Sequence, residues 1–228
     1  MIDPVSIMTV TAESNPEGRV ARRRAEVRDR LLRVAEELML ERGVDGVTIE
    51  DITEAADISR RSFYHHFASK HEILIPIARG RSESLNRRLD RLVASIEDPA
   101  EGMATAMRHG LRSIPSDPLC RWFALHSGLP IERLHEGFGE SALRDVRRAT
   151  QAGRFHVANA EAVRQLLSGA FVAVITARVD GRFSDEDLDD AVEHVLRMFG
   201  VERGEARRIA HRSLPPLPAD PAEEHEGD

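Results

Sequence analysis

Apolar residues recur at helical spacing along most of the chain, and this pattern predicts nine helices and no strands. The first three are expected from about Val20 to Arg42, from the Thr48 cap to about Ala56, and from the Ser59 cap to about Phe67. The remaining six are expected over about 73–96, 103–114, 119–126, 131–152 and 160–179, and after Ser184. The predicted fold class is therefore all-α.

Polar residues between these segments predict where helices begin and turn. Thr48 and Asp51 have capping-box spacing, as do Ser69 and Glu72. Asp57 lies in the three-residue turn between the second and third helices, where aspartate tolerates a left-handed backbone. In the fourth helix, Pro76 predicts a kink or a local break.

Charge is distributed unevenly along the chain, although the net charge is −7. Residues 184–193 contain six acidic residues and 219–228 contain five, and neither segment has Lys or Arg. By contrast, residues 19–33 hold seven arginines against two acidic residues. A local basic patch matters more for nucleic-acid binding than the total charge. A merely solvated helix face remains an alternative explanation of this run.

Several classes of protein and site are disfavoured by composition. The single cysteine, Cys120, excludes an internal disulfide framework and fits a reducing cytoplasm. We see no signal peptide, and the longest fully apolar stretch, 170–175, is too short for a membrane span. Histidines lack metal-ligand spacing, and no catalytic constellation appears. We therefore expect no metal, no cofactor, no membrane association and no enzymatic activity.

The third predicted helix has two faces of different chemistry. At 100° per residue, Phe63 and Phe67 point to one side, toward the first two helices. Arg61 and His65 point to the opposite side, and the flanking positions are Arg60, Ser62 and Tyr64. Arginine matches guanine edges or phosphate, and hydroxyl groups suit phosphate oxygens. This face is expected to meet a polar partner.

Lys70 is the only lysine among 32 basic residues. It stands at the start of the fourth helix, where the helix dipole disfavours a cation by a few tenths of a kcal/mol. A phosphate bound at the same helix terminus would reverse this preference. A solvated surface lysine is the alternative.

The segment TIEDITEAADISRRSFYHHFASKHEIL resembles the signature of the tetracycline-repressor (TetR) family. Residues in register with that signature are Ser59, Phe63, Tyr64, His66, Phe67 and Lys70. Asp57 and Ser62 replace a usual glycine and threonine. The resemblance implies DNA contacts by Thr48, Ser59, Arg60, Arg61, Ser62, Tyr64, His65 and Lys70, with His66 at the helix edge. Arg22, Arg23 and Arg24 precede the hydrophobic repeat and are expected to act as a flexible arm on phosphate or minor groove.

The expected organisation has two domains between disordered ends. We expect an arm over 1–18, a helix-turn-helix domain over 19–69, a regulatory and dimerisation domain over 70–212, and a disordered acidic tail over 213–228. The resemblance implies a repressor that binds a palindromic operator as a homodimer and responds to a small-molecule inducer. A ligand-independent architectural or cell-division-linked DNA-binding protein is the alternative, and a helical enzyme is a remote third possibility.

Two further sets of residues are expected in the regulatory domain. The eighth helix is apolar around most of its circumference and needs a partner to bury it. Helices eight and nine are therefore expected to form a four-helix dimer interface, with contacts from Leu167, Phe171, Val174, Val192 and Val195. Candidate ligand-pocket residues are Met103, Met107, Trp122, Phe123, His126 and Phe138. Such a Met and aromatic pattern is also typical of an ordinary helical core.

Overall fold

The computed structural model describes residues 16–126 and 132–219, with side chains for 18–122 and 141–219. Within these ranges the chain forms ten helices and no strand, which confirms the all-α fold class. The helices are α1 (Pro16–Arg42), α2 (Ile49–Ala55), α3 (Arg60–Tyr64), α4 (Lys70–Ala94), α5 (Pro99–Ser116), α6 (Pro118–His126), α7 (Glu132–Gln151), α8 (Ala160–Val179), α9 (Asp185–Met198) and α10 (Arg203–Ala210).

The predicted capping residues start α2, α3 and α4. The Thr48 side chain accepts from the backbone N–H of Asp51, whose carboxylate accepts from the N–H of Thr48, so the capping box is complete. Ser59 caps α3 and Ser69 caps α4, each accepting an N–H three residues on at 3.1 Å; the Glu72 carboxylate accepts from Ala68 rather than from Ser69, so the predicted capping box at Ser69 is not complete. Asp57 has φ 52°, as the turn between α2 and α3 requires.

The N-terminal hydrophobic core is completed by residues from outside the first three helices. Phe63 and Phe67 of the α3 segment are buried among residues of α1 and α2. The first two turns of α4 add Ile73, Leu74, Ile77 and Ala78, and α6 adds the fully buried Leu119. The short α2 and α3 therefore lie on a platform formed in part by α4 and α6.

A second hydrophobic core occupies the C-terminal part of the chain. Its buried side chains come mainly from α5 and from α7 to α10. A buried ion network joins α5 to α9, in which Asp189 accepts from Arg108 at 2.8 and 3.1 Å and from Arg112 at 2.7 Å. Burial acts to raise the pKa of Asp189, but the hydrogen bonds and charges of the two arginines hold that pKa below its usual value.

At the N-terminal end of the chain, three sequence-based expectations differ from the structure. Arg22, Arg23 and Arg24 lie inside α1 rather than on a flexible arm, because a run of Arg, Ala and Glu favours helix without apolar periodicity. The α3 helix ends at Tyr64, with His65 as its C-cap, rather than near Phe67. The predicted break at Pro76 does not occur, since α4 runs continuously through it. A proline removes a single backbone donor, and buried neighbours on both sides of Pro76 hold the helix together.

The C-terminal end also differs from expectation. Helix α10 was not predicted, because its only buried apolar residues are Ala206, Ile209 and Ala210. Residues 213–219, expected to belong to a disordered tail, have no regular secondary structure but lie against α4 and α5. Residues 1–15 and 220–228, which make up most of the expected disordered arm and the rest of the tail, are outside the described part of the chain.

Candidate nucleic-acid interface and ligand cavity

Helix α3 presents an exposed polar face over two buried phenylalanines. Phe63 is 0% and Phe67 4% exposed, with ring centroids 5.9 Å apart. Tyr64 packs edge-on against Phe63 and remains 51% exposed, so its ring is positioned by the core while the residue stays accessible to solvent. Arg60, Arg61 and His65 are exposed and Ser62 is half-buried. The orientation predicted from 100° steps is the one observed.

Arginines of α1 lie beside this face. The Arg24 guanidinium donates to the carbonyl of His65 at 3.4 Å, and that of Arg28 lies 5.4 Å from the centre of the Phe67 ring. Burial foremost, and then the charges of Arg24, Arg28 and His65, lower the pKa of His66. The α1 helix and the end of α3 therefore form one cationic surface. Sequence reasoning missed Arg28, because its position relative to α3 depends on how the two helices pack.

Lys70 has a structural role within the chain. Its ammonium donates to the carbonyl of Val44 at 2.8 Å, so it ties the start of α4 to the loop between α1 and α2. Three ammonium protons allow Lys70 to hold the loop and still meet a second acceptor.

Three other predicted DNA contacts also interact within the chain. The side chains of Thr48 and Ser59 serve as helix caps, and the Arg60 guanidinium lies 3.8 Å from the Glu50 carboxylate.

An apolar cavity of about 130 Å³ lies among α4, α5, α7 and α8. Its apolar wall includes Leu89, Val93, Met103, Met107, Phe171 and Ile175. Its polar side chains include Asn86, Asp90, Ser141, Asp145, Arg164 and Ser168. An apolar cavity with a few polar groups is the usual form of a small-molecule site.

Asp90 and Asp145 place two carboxyl groups at the cavity. Burial raises the pKa of Asp145; the nearby charge of Arg144 opposes this shift, and that of Asp90 adds to it. Arg144 donates to Asp90 at 2.7 Å. A carboxyl group with a raised pKa can act as either a donor or an acceptor to a hydroxyl group.

Only part of the predicted ligand pocket comes together in the structure. Met103 and Met107 line the cavity, as expected. Trp122 does not: its indole N–H donates to Asp45 at 3.0 Å, and its ring stacks on His71 with centroids 5.3 Å apart. The tryptophan therefore lies against the N-terminal helices, because α6 packs on α1 and α4. The side chains of Phe123, His126 and Phe138 are outside the described residues.

Most residues predicted for the dimer interface are used within the chain. Val192 is 0% and Leu167 8% exposed, both in the C-terminal core. Phe171 lines the cavity and packs toward α5, where a Cβ added to Gly110 would lie 3.1 Å from its ring. Val174 and Val195 are half-buried. Val192 and Leu167 are covered by neighbours within the chain, because apolar periodicity does not say which neighbour covers a helix; Phe171, Val174 and Val195 stay predicted interface residues.

A different face of α8 is apolar and uncovered. Leu166 is 62% exposed, and the exposed small residues Ala162, Gly169, Ala170 and Ala173 share its side of the helix. By length and composition α8 would suffice to cross a membrane, with only 17% of its apolar window buried. A single helix of this kind is weak evidence for a membrane span.

Comparisons with known proteins agree with this architecture. A family model described as "Bacterial regulatory proteins, tetR family" matches residues 31–77, and one described as "Tetracyclin repressor-like, C-terminal domain" matches 98–212. The solved structure of RolR in complex with resorcinol has a TM-score of 0.80 and 33% identity, covering 87% of this chain and 100% of that one.

Curated relatives match over shorter segments. The transcriptional regulator TcmR of Streptomyces glaucescens is 34% identical over 109 residues, which is 47% of this chain and 48% of TcmR. The repressor KstR2 of Mycobacterium tuberculosis is 39% identical over 84 residues, 37% of this chain and 40% of KstR2. The chain thus spans about half the length of the curated relatives it matches. Because the two family models together cover both of its cores, the chain belongs to the TetR family of bacterial transcriptional regulators.

Proposed function

We propose that the protein is a cytoplasmic, ligand-responsive repressor that binds a palindromic operator as a homodimer. The observation that carries this proposal is the exposed Arg, Tyr and His face of α3, held over Phe63 and Phe67 and continued by the arginines of α1. Two such faces related by a two-fold axis would enter major grooves about one helical turn apart.

The exposed side chains of this surface are proposed to make two kinds of DNA contact, to base edges and to phosphates. Arg61 is exposed, and among the described residues its guanidinium has no carboxylate partner, so it is available to read a base edge. Arg60, Ser62, Tyr64 and His65 surround it. Thr48, Ser59, Lys70 and the helical Arg22, Arg23 and Arg24 are proposed to meet phosphates, which fix the orientation of the protein on the duplex.

The cavity is the proposed inducer site, and we propose a small aromatic molecule with hydroxyl groups as its ligand. The apolar wall would receive the ring, Asp90 would accept a hydroxyl hydrogen bond, and Asp145 would accept or donate one. The resorcinol bound to RolR is a molecule of this class, and RolR shares 33% identity with this chain. The ligand-independent architectural role remains the second candidate, since a cavity of this size also occurs as a packing defect.

The exposed face of α8 is the proposed dimer interface, in place of the buried Val192 and Leu167. Small residues around Leu166 would let a second α8 approach closely, and Met198 of α9 is a further exposed apolar residue, at 51%. Burying this stripe against its symmetry mate would remove its apolar atoms from water.

Lys70→Met separates the structural and DNA-binding roles of Lys70. Losing the hydrogen bond to Val44 should lower the melting temperature whether or not DNA is bound there. If the ammonium also neutralises a phosphate, the slope of log K against log[salt] should fall by about 0.9. Arg182→Met, which removes an exposed cation far from α3 in the sequence, should leave the slope unchanged. An unaltered slope in Lys70→Met would limit Lys70 to its structural role.

Binding of mono- and dihydroxybenzenes, followed by calorimetry, tests the cavity. Asp145→Leu should weaken binding of the best compound at least about tenfold, or about 1.4 kcal/mol, because a buried hydroxyl loses its partner. Trp122→Phe should bind it normally, since the tryptophan lies outside the cavity. The compound should also weaken operator binding, and the operator should weaken compound binding by the same factor. If no compound in the panel binds, the ligand-independent role is favoured.

Leu166→Glu should dissociate the dimer, because the interface would bury a carboxylate that has no partner. The matched control is Leu40→Glu, which places the same charge at a 42% exposed leucine of α1 and should leave the dimer intact. Gel filtration coupled to light scattering measures both. A wild-type protein that is monomeric at micromolar concentration would contradict the proposed interface.

A further inference from the structure

Residues 212–219, here called the C-terminal strap, are held by a row of side-chain donors from two helices. From α5, Arg108 donates to the carbonyl of Arg212 at 2.7 Å and His109 to that of Pro215 at 3.0 Å. From α4, Arg88 donates to the carbonyl of Pro218 at 2.7 Å and Arg91 to that of Ala219. The strap therefore connects the two helices by hydrogen bonds to its own backbone.

The sequence of the strap suits this role. Pro215, Pro216 and Pro218 have fixed φ angles and no N–H, so these three positions are stiff and offer carbonyl acceptors without an N–H donor. Its first residue, Arg212, donates to both carboxylate oxygens of Glu101 at 2.8 Å and so anchors the strap to the start of α5.

Arg108 and His109, 6% and 9% exposed, are buried donors to the strap. Burial foremost lowers the pKa of His109, and the charges of Arg112, Arg108 and Arg88 act in the same direction, whereas the hydrogen bond with Pro215 opposes them. The neutral ring donates one N–H, and the structure directs its Nε2 atom to the strap.

The strap is hydrogen-bonded to the faces of α4 and α5 that point away from the cavity. On α4, Leu89 and Val93 line the cavity, while Arg88 and Arg91 lie on the opposite side of the helix. On α5, Met103 and Met107 line the cavity, while Arg108 and His109 face the strap. The cavity volume between α4 and α5 can increase only if these helices move apart. The hydrogen bonds of the strap to both helices oppose that movement.

We propose that the C-terminal strap is a brace that limits the size of molecule the cavity accepts. It determines specificity from outside the site: the wall residues select apolar rings, and the brace excludes ligands that need α4 and α5 to move apart. The inference rests on the proposed function only in taking the cavity as the inducer site.

Two truncated chains test this proposal, one ending at Ala219 and one ending at His211. The probe is 1-anilinonaphthalene-8-sulfonate, an anion bulkier than a single phenol that fluoresces in apolar sites. The chain ending at His211 should bind the probe at least tenfold more tightly than the full chain. The chain ending at Ala219 retains the strap and should match the full chain. Neither operator nor inducer is used, so the outcome is independent of whether the protein is a repressor.

A cavity-filling substitution identifies where the probe binds. Ala106→Phe, placed on the cavity wall of the shorter chain, should abolish the added binding. Hydrogen exchange should be at least tenfold faster over 84–94 in the chain ending at His211 than in the full chain. Equal probe affinity and equal exchange in the two truncated chains would overturn the brace, as would added binding that survives Ala106→Phe.

A single substitution in the full chain keeps the test decisive if the shorter chain does not fold. Arg88→Leu removes one strap donor while leaving the cavity wall intact. Because one hydrogen bond holding the strap is lost, probe affinity should rise about two- to fivefold. Arg121→Leu, at an exposed arginine of α6, should change nothing. Unchanged probe affinity in Arg88→Leu would overturn the proposal.

Discussion

The burial of Phe63 and Phe67 against other helices determines how the recognition surface is presented. Helix α3 has only five residues, too few to be stable alone, because helix nucleation is costly and few backbone hydrogen bonds follow it. Its orientation therefore comes from the core beneath it, which contains residues of α1, α2, α4 and the fully buried Leu119 of α6. The DNA-facing surface depends on parts of the chain that lie far from it in the sequence.

This dependence provides a physical route between the two cores. Helix α4 begins among the residues that support α3 and continues to the cavity wall at Leu89 and Val93. Arg81, midway along α4, contacts Glu36 of α1 and Asp117 at the start of α6, so three helices share one ion cluster. Trp122 adds a hydrogen bond from α6 to Asp45. A ligand that favours one position of α4 would shift the equilibrium of the whole unit, by no more than its difference in affinity for the two states.

Features that depend on local sequence could be predicted, and those that depend on packing could not. The caps at Thr48, Ser59 and Ser184, the turn at Asp57 and the inward side of α3 were all predicted, because each is decided within a few residues. Trp122 and Val192 were misplaced, since apolar spacing marks a side chain as buried without naming its neighbour. The strap was missed for another reason: its acceptors are backbone carbonyls, which leave no trace in a side-chain pattern.

Helix α6 supports the recognition helix through Leu119, and the matched variants Leu119→Ala and Leu111→Ala measure this support. Both leucines are at most 1% exposed, one in the N-terminal core and the other in the C-terminal core. Each substitution should lower the free energy of unfolding by about 2–5 kcal/mol. Hydrogen exchange over 49–67, measured beside operator affinity, distinguishes them. The account predicts faster exchange and weaker operator binding in Leu119→Ala alone; Leu119→Ala with unchanged exchange over 49–67 and unchanged operator affinity would contradict it.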